Sequence, residues 1–175
     1  MKLRNACIAL TAIALVSMSA HAQVTVPKNV FSIQPLSAMF RVYSVEYERA
    51  ASKAVTWGLG TTLFRVGDSG SDVNYTSAEF KLRYYPAEVA LQGFSFGGAV
   101  GLSSVNGTND SGGDETVTAP SLGVLLEYQW LMGATKNFAL TLGVGAKALS
   151  IKDNFSSNDF VARYPTARVS VGYAF

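Results

Sequence analysis

Beyond residue 22 the sequence contains no cysteine and no histidine; the only ones, Cys7 and His21, both lie before that point. Without cysteine that stretch has no disulfide and no thiolate metal site. Without histidine it lacks the side chain that most often serves as a general base near neutral pH. Ser/His and Asp/His constellations are therefore unavailable, and no catalytic residue, metal ion or cofactor is expected. Charged residues make up only 15% of the chain and form no basic stripe, so no nucleic-acid partner is expected. After Gln23 no apolar run approaches the ~20 residues of a membrane-spanning helix.

The first 22 residues have a separate character. Lys2 and Arg4 precede the apolar run Ala6–Met18, and Ala20 and Ala22 flank His21. A positive start, a short apolar centre and an A-x-A site read as a secretory signal peptide cleaved before Gln23. The expected organisation is a signal peptide over 1–22 and one domain over 23–175. Loss of Lys2 and Arg4 with the leader takes the formal charge from +2 to 0.

What remains is apolar on average yet has no long apolar run, so its hydrophobic character must be spread over alternating positions. Phe80, Leu82 and Tyr84 alternate with Glu79, Lys81 and Arg83; Leu122, Val124, Leu126, Tyr128 and Trp130 alternate with Ser121, Gly123, Glu127 and Gln129. Phe138, Leu140, Leu142 and Val144 alternate with small residues, and Tyr43, Val45 and Tyr47 alternate with Ser44, Glu46 and Glu48. A period of two with unlike faces marks strands between two media. Segments near 39–50, 55–66, 77–85, 93–104, 119–130, 137–148 and 160–175 show it. Residues 30–36 supply an eighth strand with a tight reversal near Ser37, giving the even count that a closed bacterial barrel needs. Short links at 50–53, 86–91 and 132–136 are expected at one end, and longer polar links at 67–72, 105–116 and 153–159 at the other. All six aspartates fall in these longer links; they carry no calcium-loop spacing and read as solvated turns.

The non-aromatic face is rich in Gly, Ala, Ser and Thr, which suits the narrow interior of an eight-stranded barrel. The apolar face therefore looks outward to lipid. The expected fold is all-β: an eight-stranded antiparallel up-and-down transmembrane β-barrel. Trp57, Tyr128, Trp130, Phe138, Tyr173 and Phe175 fall where an aromatic girdle belongs. Arg41, Arg65 and Arg163 lie near the opposite strand ends, placed either to meet lipopolysaccharide phosphates or to snorkel to water. On the inward face, Glu46, Glu48, Glu79, Lys81, Arg83, Glu127, Lys147 and Arg168 bring four carboxylates and four bases to one surface. Pairing is expected, as a plug of salt bridges or as a polar gate.

The ending "RVSVGYAF", with Val169, Val171, Tyr173 and Phe175 on one face, resembles the C-terminal assembly signal of Gram-negative outer-membrane proteins. The strand series resembles the small barrels of the OmpA/OmpX/OmpW type. The stretches "YSVEYERA", "LRYYP" and "GFSFGGAVG" resemble a family of uncharacterised small outer-membrane proteins. The resemblance implies a monomer in the outer membrane, contacting its lipids and lipopolysaccharide and placed there by the barrel-assembly machinery. The expected role is structural or surface-interacting; the alternative, which the resemblance to OmpW-type barrels implies, is a narrow channel for small or apolar solutes.

Overall fold

The computed structural model describes residues 26–68, 71–108, 114–151 and 160–175. The leader at 1–22 and Asp110, Asp153 and Asp159 lie outside the described residues. Eight strands close into one antiparallel barrel, each paired with its neighbours in chain order. They are β1 (Asn29–Ile33), β2 (Val42–Ala50), β3 (Val55–Asp68), β4 (Ser71–Tyr84), β5 (Gly93–Thr108), β6 (Asp114–Met132), β7 (Phe138–Ile151) and β8 (Phe160–Ala174). One helical turn, α1 (Pro35–Ala38), joins β1 to β2. Closure pairs Val30–Ile33 with Ala174–Val171, and the backbone N–H groups of Lys28 and Asn29 both donate to the Phe175 carbonyl, at 3.0 and 2.9 Å.

Following the pairing around the barrel, Phe31 faces Tyr47, then Leu59, Phe80, Val100, Leu122, Ala148 and Arg163. The β8–β1 register, with Ile33 opposite Val171, carries Arg163 on to position 41, ten residues along from the start. A stagger of this size inclines the strands by roughly 35–45° to the axis.

The alternation sorts the side chains as their chemistry demands. Leu59, Phe96, Val100, Leu122, Val124, Leu126 and Val144 are all exposed on the outside, while Ser77, Arg83, Ser95, Glu127, Gln129 and Ser170 are buried within. Such an inversion would be unstable in water and suits a lipid solvent, and closure gives every strand a paired neighbour on both sides. Aromatic pairs ring the end that carries the 51–54, 85–92 and 133–137 connections: Tyr47 on Trp57, Tyr128 on Trp130 and Tyr173 on Phe175, with centroids 5.7, 4.5 and 6.1 Å apart. A small apolar cluster of Val30, Leu91, Leu131, Ala139 and Ala174 closes the same end.

The connections differ from the sequence expectation at the opposite, loop end. The segment 67–72 is mostly strand, with Asp68 paired to Ser71, and β5 and β6 stay paired out to Thr108 and Asp114. Val66, Val73, Val105 and Val117 carry strand preference into what polarity alone reads as loop. Asp68, Asp72 and Asp114 thus lie within strands. Between β1 and β2 the expected tight reversal is instead α1, and Arg41 follows it in a left-handed conformation (φ 60°).

Candidate functional site

The inward faces of β2, β4, β6, β7 and β8 converge on one ionic network at the middle of the lumen. Lys147 Nζ lies 2.5 Å from Glu79 Oε1, and Glu79 Oε2 is 3.5 Å from Lys81 Nζ. Lys81 Nζ is 2.6 Å from Glu46 Oε2. Glu46 also meets Arg83 and Arg168, each at 2.7 Å. Arg83 Nε donates to Glu127 Oε2 at 2.5 Å, Arg168 Nη1 lies 3.3 Å from Glu127 Oε1, and Glu48 completes the set, 3.6 Å from Arg83 Nη1. All eight inward charges named from the sequence meet here, in matched numbers. Arg83 is the hub: it is 1% exposed and faces three carboxylates.

Glycines make room for these long side chains. Every one of the eight charged residues faces a glycine on an adjacent strand. Glu46 faces Gly60 and Glu48 faces Gly58; the same two glycines face Glu79 and Lys81 from the other side. Arg83 faces Gly97, Lys147 and Glu127 face Gly123 and Gly143, and Arg168 also faces Gly143. A Cβ on Gly143 would sit 2.6 Å from Glu127 Cγ, and one on Gly97 would strike the Leu82 carbonyl. Neither could be accommodated without moving the network or the neighbouring strand.

Four polar residues to which the sequence reading gave no role, Thr56, Tyr85, Gln129 and Thr141, complete the coordination. Thr56 Oγ1 donates to Glu48 Oε1 at 2.5 Å, and Tyr85 donates to the same oxygen at 3.0 Å. Burial, reinforced by the Glu48 carboxylate, pushes the Tyr85 phenol up, so it stays protonated and can donate. Thr141 Oγ1 donates to Gln129 Oε1 at 2.8 Å, and Gln129 Nε2 donates to the Leu91 carbonyl at 2.7 Å. This ties the 85–92 connection into the barrel mouth. The available signal was inward parity in the same rows as the charges.

Above the network, toward the loop end, lies a cavity of about 350 Å³ bordered by Tyr75, Lys147, Tyr164, Thr166 and Arg168 among others. Lys147 Nζ also donates to the Tyr75 hydroxyl, at 3.2 Å. Among the described residues no cluster of His, Cys, Asp and Glu has the arrangement of a metal site.

The remaining residues named from the sequence stay apart from the lumen. Tyr173 and Phe175 point outward, Val169 and Val171 are partly covered on the same face. Arg41, Arg65 and Arg163 are exposed. Arg65 Nε donates to Asn74 Oδ1 at 2.7 Å, Arg163 on β8 pairs opposite Ala148 on β7, and Arg41 precedes β2 rather than lying on a strand.

No protein-family model matches the chain, and no curated protein matches it in sequence. Solved structures do. The N-terminal β-barrel domain of Pseudomonas aeruginosa OprF is 18% identical with a TM-score of 0.51, over 85% of this chain and 96% of that one. The attachment invasion locus protein Ail of Yersinia pestis is 14% identical with a TM-score of 0.53, over 85% of this chain and 97% of that one. Together with the closed eight-strand topology and the outward apolar belt, these matches show that the chain has the small eight-stranded outer-membrane β-barrel fold.

Proposed function

We propose that the chain is a non-enzymatic barrel of the Gram-negative outer membrane with a structural or surface-interaction role, its short turns facing the periplasm. The observation that carries this reading is the filled lumen. The eight-residue ionic network crosses it, and Tyr85 and Leu91, 1% and 0% exposed, close it at the turn end. Projection at the other end supports the surface role. A membrane strand needs ~9–11 residues, whereas β6 has 19, so the β5–β6 hairpin reaches well past the lipid belt. In this reading the barrel is a monomer contacting outer-membrane lipids, and Arg41, Arg65 and Arg163 meet lipopolysaccharide phosphates.

The test is conductance of the refolded residues 23–175 in planar bilayers. Silence is expected, both for the parent and for Glu127→Gln and Lys147→Met. Discrete steps whose size or ion selectivity changes with those substitutions would replace this reading with that of a narrow channel for small or apolar solutes.

Placement by the assembly machinery gives a separate expectation. Phe175→Asp puts a charge on the outward anchor beside Tyr173 and should reduce the folded, heat-modifiable protein recovered from outer membranes several-fold. Undiminished recovery would remove Val169, Val171, Tyr173 and Phe175 from the role of assembly signal.

A further inference from the structure

In the lumen every base has a carboxylate: Lys81, Arg83, Lys147 and Arg168 all lie within ion-pair reach of one. The turn end is the reverse. It carries Lys28, Arg49, Lys53 and Lys136 against a single acid, Glu88. All four bases are exposed, and among the described residues none of them meets a carboxylate. Lys136 has only a neutral partner, donating to Gln92 Oε1 at 3.3 Å.

Their places follow from the topology. Lys136 lies in the 133–137 link between β6 and β7, and Lys28 enters β1 at the seam with β8. Arg49 lies near the end of β2, and Lys53 in the 51–54 link to β3. These are three consecutive links around the rim; Glu88 lies in the fourth, across the barrel from the seam. The Ala50 N–H donates to the Lys28 carbonyl at 2.8 Å, which sets Lys28 beside Arg49. The 51–54 turn is held tight, because Ala51 and Ser52 N–H donate to the Val55 carbonyl at 2.9 and 3.1 Å. Ser52 Oγ in turn accepts from the Ala54 and Val55 N–H groups at 3.2 and 3.1 Å. Lys53 is thereby kept at the rim.

The aromatic rings mark the depth of this arc. Arg49 shares the outward parity of Tyr47 and pairs opposite Trp57. The stacked Tyr173 and Phe175 lie at the seam beside Lys28, and Tyr128 and Trp130 precede the link that carries Lys136. Such rings sit at the level of lipid head groups, so cations standing beside them lie where lipid phosphates lie. The links 51–54 and 133–137 are too short to carry a cation far beyond that layer, which favours a lipid over a cell-wall polymer.

We propose that this cationic arc binds anionic phospholipid of the periplasm-facing leaflet, with Arg49, Lys28 and Lys53 around Trp57 as its principal site. Arg49 offers paired N–H donors to a phosphodiester at the wall, and the two lysines add charge at the rim. Snorkelling to water alone would give no preference between head groups. The inference rests on the outer-membrane placement and orientation proposed above. Failure of that placement shows as protein that does not insert in heat-modifiable form, whereas failure of this inference leaves an inserted barrel indifferent to lipid charge.

The experiment uses residues 23–175 carrying Trp130→Phe, so that Trp57 is the one tryptophan beyond the leader. The barrel is refolded into phosphatidylcholine vesicles containing brominated phosphatidylglycerol or, in parallel, brominated phosphatidylcholine, and quenching of Trp57 gives the relative affinity of the two lipids. A preference for phosphatidylglycerol of at least about fivefold at low salt is expected, the worth of one basic residue near an anionic lipid. Added salt should shrink it. Arg49→Gln with Lys53→Gln should bring the ratio close to one, and Arg49→Lys with Lys53→Arg should largely keep it. Equal quenching of the parent by the two lipids would overturn the site. A preference that survives the double glutamine substitution would overturn its assignment to Arg49 and Lys53. Absence of lipid preference together with co-sedimentation on purified cell-wall sacculi, lost in the double glutamine variant, would replace the lipid with the wall.

Discussion

Replacing Arg83 with methionine is expected to destabilise the barrel by about 3–5 kcal/mol, the usual cost of breaking a buried ion pair from one side. Arg83 is fully enclosed and holds Glu46 and Glu127 through charge-assisted hydrogen bonds, with Glu48 close by. Without it Glu46 keeps Lys81 and Arg168, and Glu127 keeps Arg168 at 3.3 Å. Glu48 keeps only the hydroxyl donors Thr56 and Tyr85. The lumen then holds four carboxylates against three bases, and Glu48, 3% exposed, has no base left within reach. Denaturant unfolding in lipid vesicles, followed by tryptophan emission, measures the change. A second substitution should separate charge imbalance from lost packing: adding Glu127→Gln to Arg83→Met restores the balance and should recover part of the loss. A change below about 1 kcal/mol for Arg83→Met would mean that the network fills space without holding the fold.

The second large effect concerns the outer face. Leu126 is half exposed, lies midway up the apolar belt and stands between Phe96 and Val144 on the neighbouring strands. Leu126→Arg should cost about 2–4 kcal/mol if that surface meets hydrocarbon near the bilayer centre. Thr118 has the same outward parity but lies eight residues nearer the projecting end of β6, where Thr118→Arg should cost only about 0–1 kcal/mol. The gradient is the informative quantity. Equal and small effects at both positions would mean that water, not lipid, bathes the belt. Leu126 serves this purpose better than Leu140, which Trp130 and Val171 flank and partly cover.

The ionic network also bears on why the fold tolerates so many glycines in its strands. A glycine within a strand usually weakens it. Here the loss is offset at Gly58, Gly60, Gly97, Gly101, Gly123 and Gly143, each of which faces a long charged side chain that must lie across the wall to reach its partner. Gly143 illustrates the arrangement, since it borders both Glu127 and Arg168. A methyl group at that point would meet the Glu127 side chain directly.

Much of this architecture was legible in the sequence because it depends on a local signal. Alternation with a period of two assigns every residue to a face without knowledge of any other strand. Glu79, Lys81 and Arg83 were therefore placed inward and Phe80, Leu82 and Tyr84 outward from one short stretch, and the structure has them there. The same parity named all eight lumen charges. Strand length was less accessible, because polar residues near the loop end continue the ladder as readily as they leave it; β4 accordingly begins at Ser71 and not near Ser77.

Which charge meets which glycine, and which carboxylate Arg83 holds, depends on the stagger between strands. That is a property of cross-strand contacts accumulated around a closed barrel, and no local pattern encodes it. The short pairing of β1 with β8 belongs to the same class. Residues 30–36 read as a strand entering a tight reversal, and only the ten-residue offset at closure reveals that β1 ends too soon to cover β8. The sequence by itself determined the class of fold, the two faces and the members of the lumen network. The tertiary structure alone decided their pairing, the closure of the turn end and the place of α1 between β2 and β8, because each arises from register, which forms only when distant strands meet.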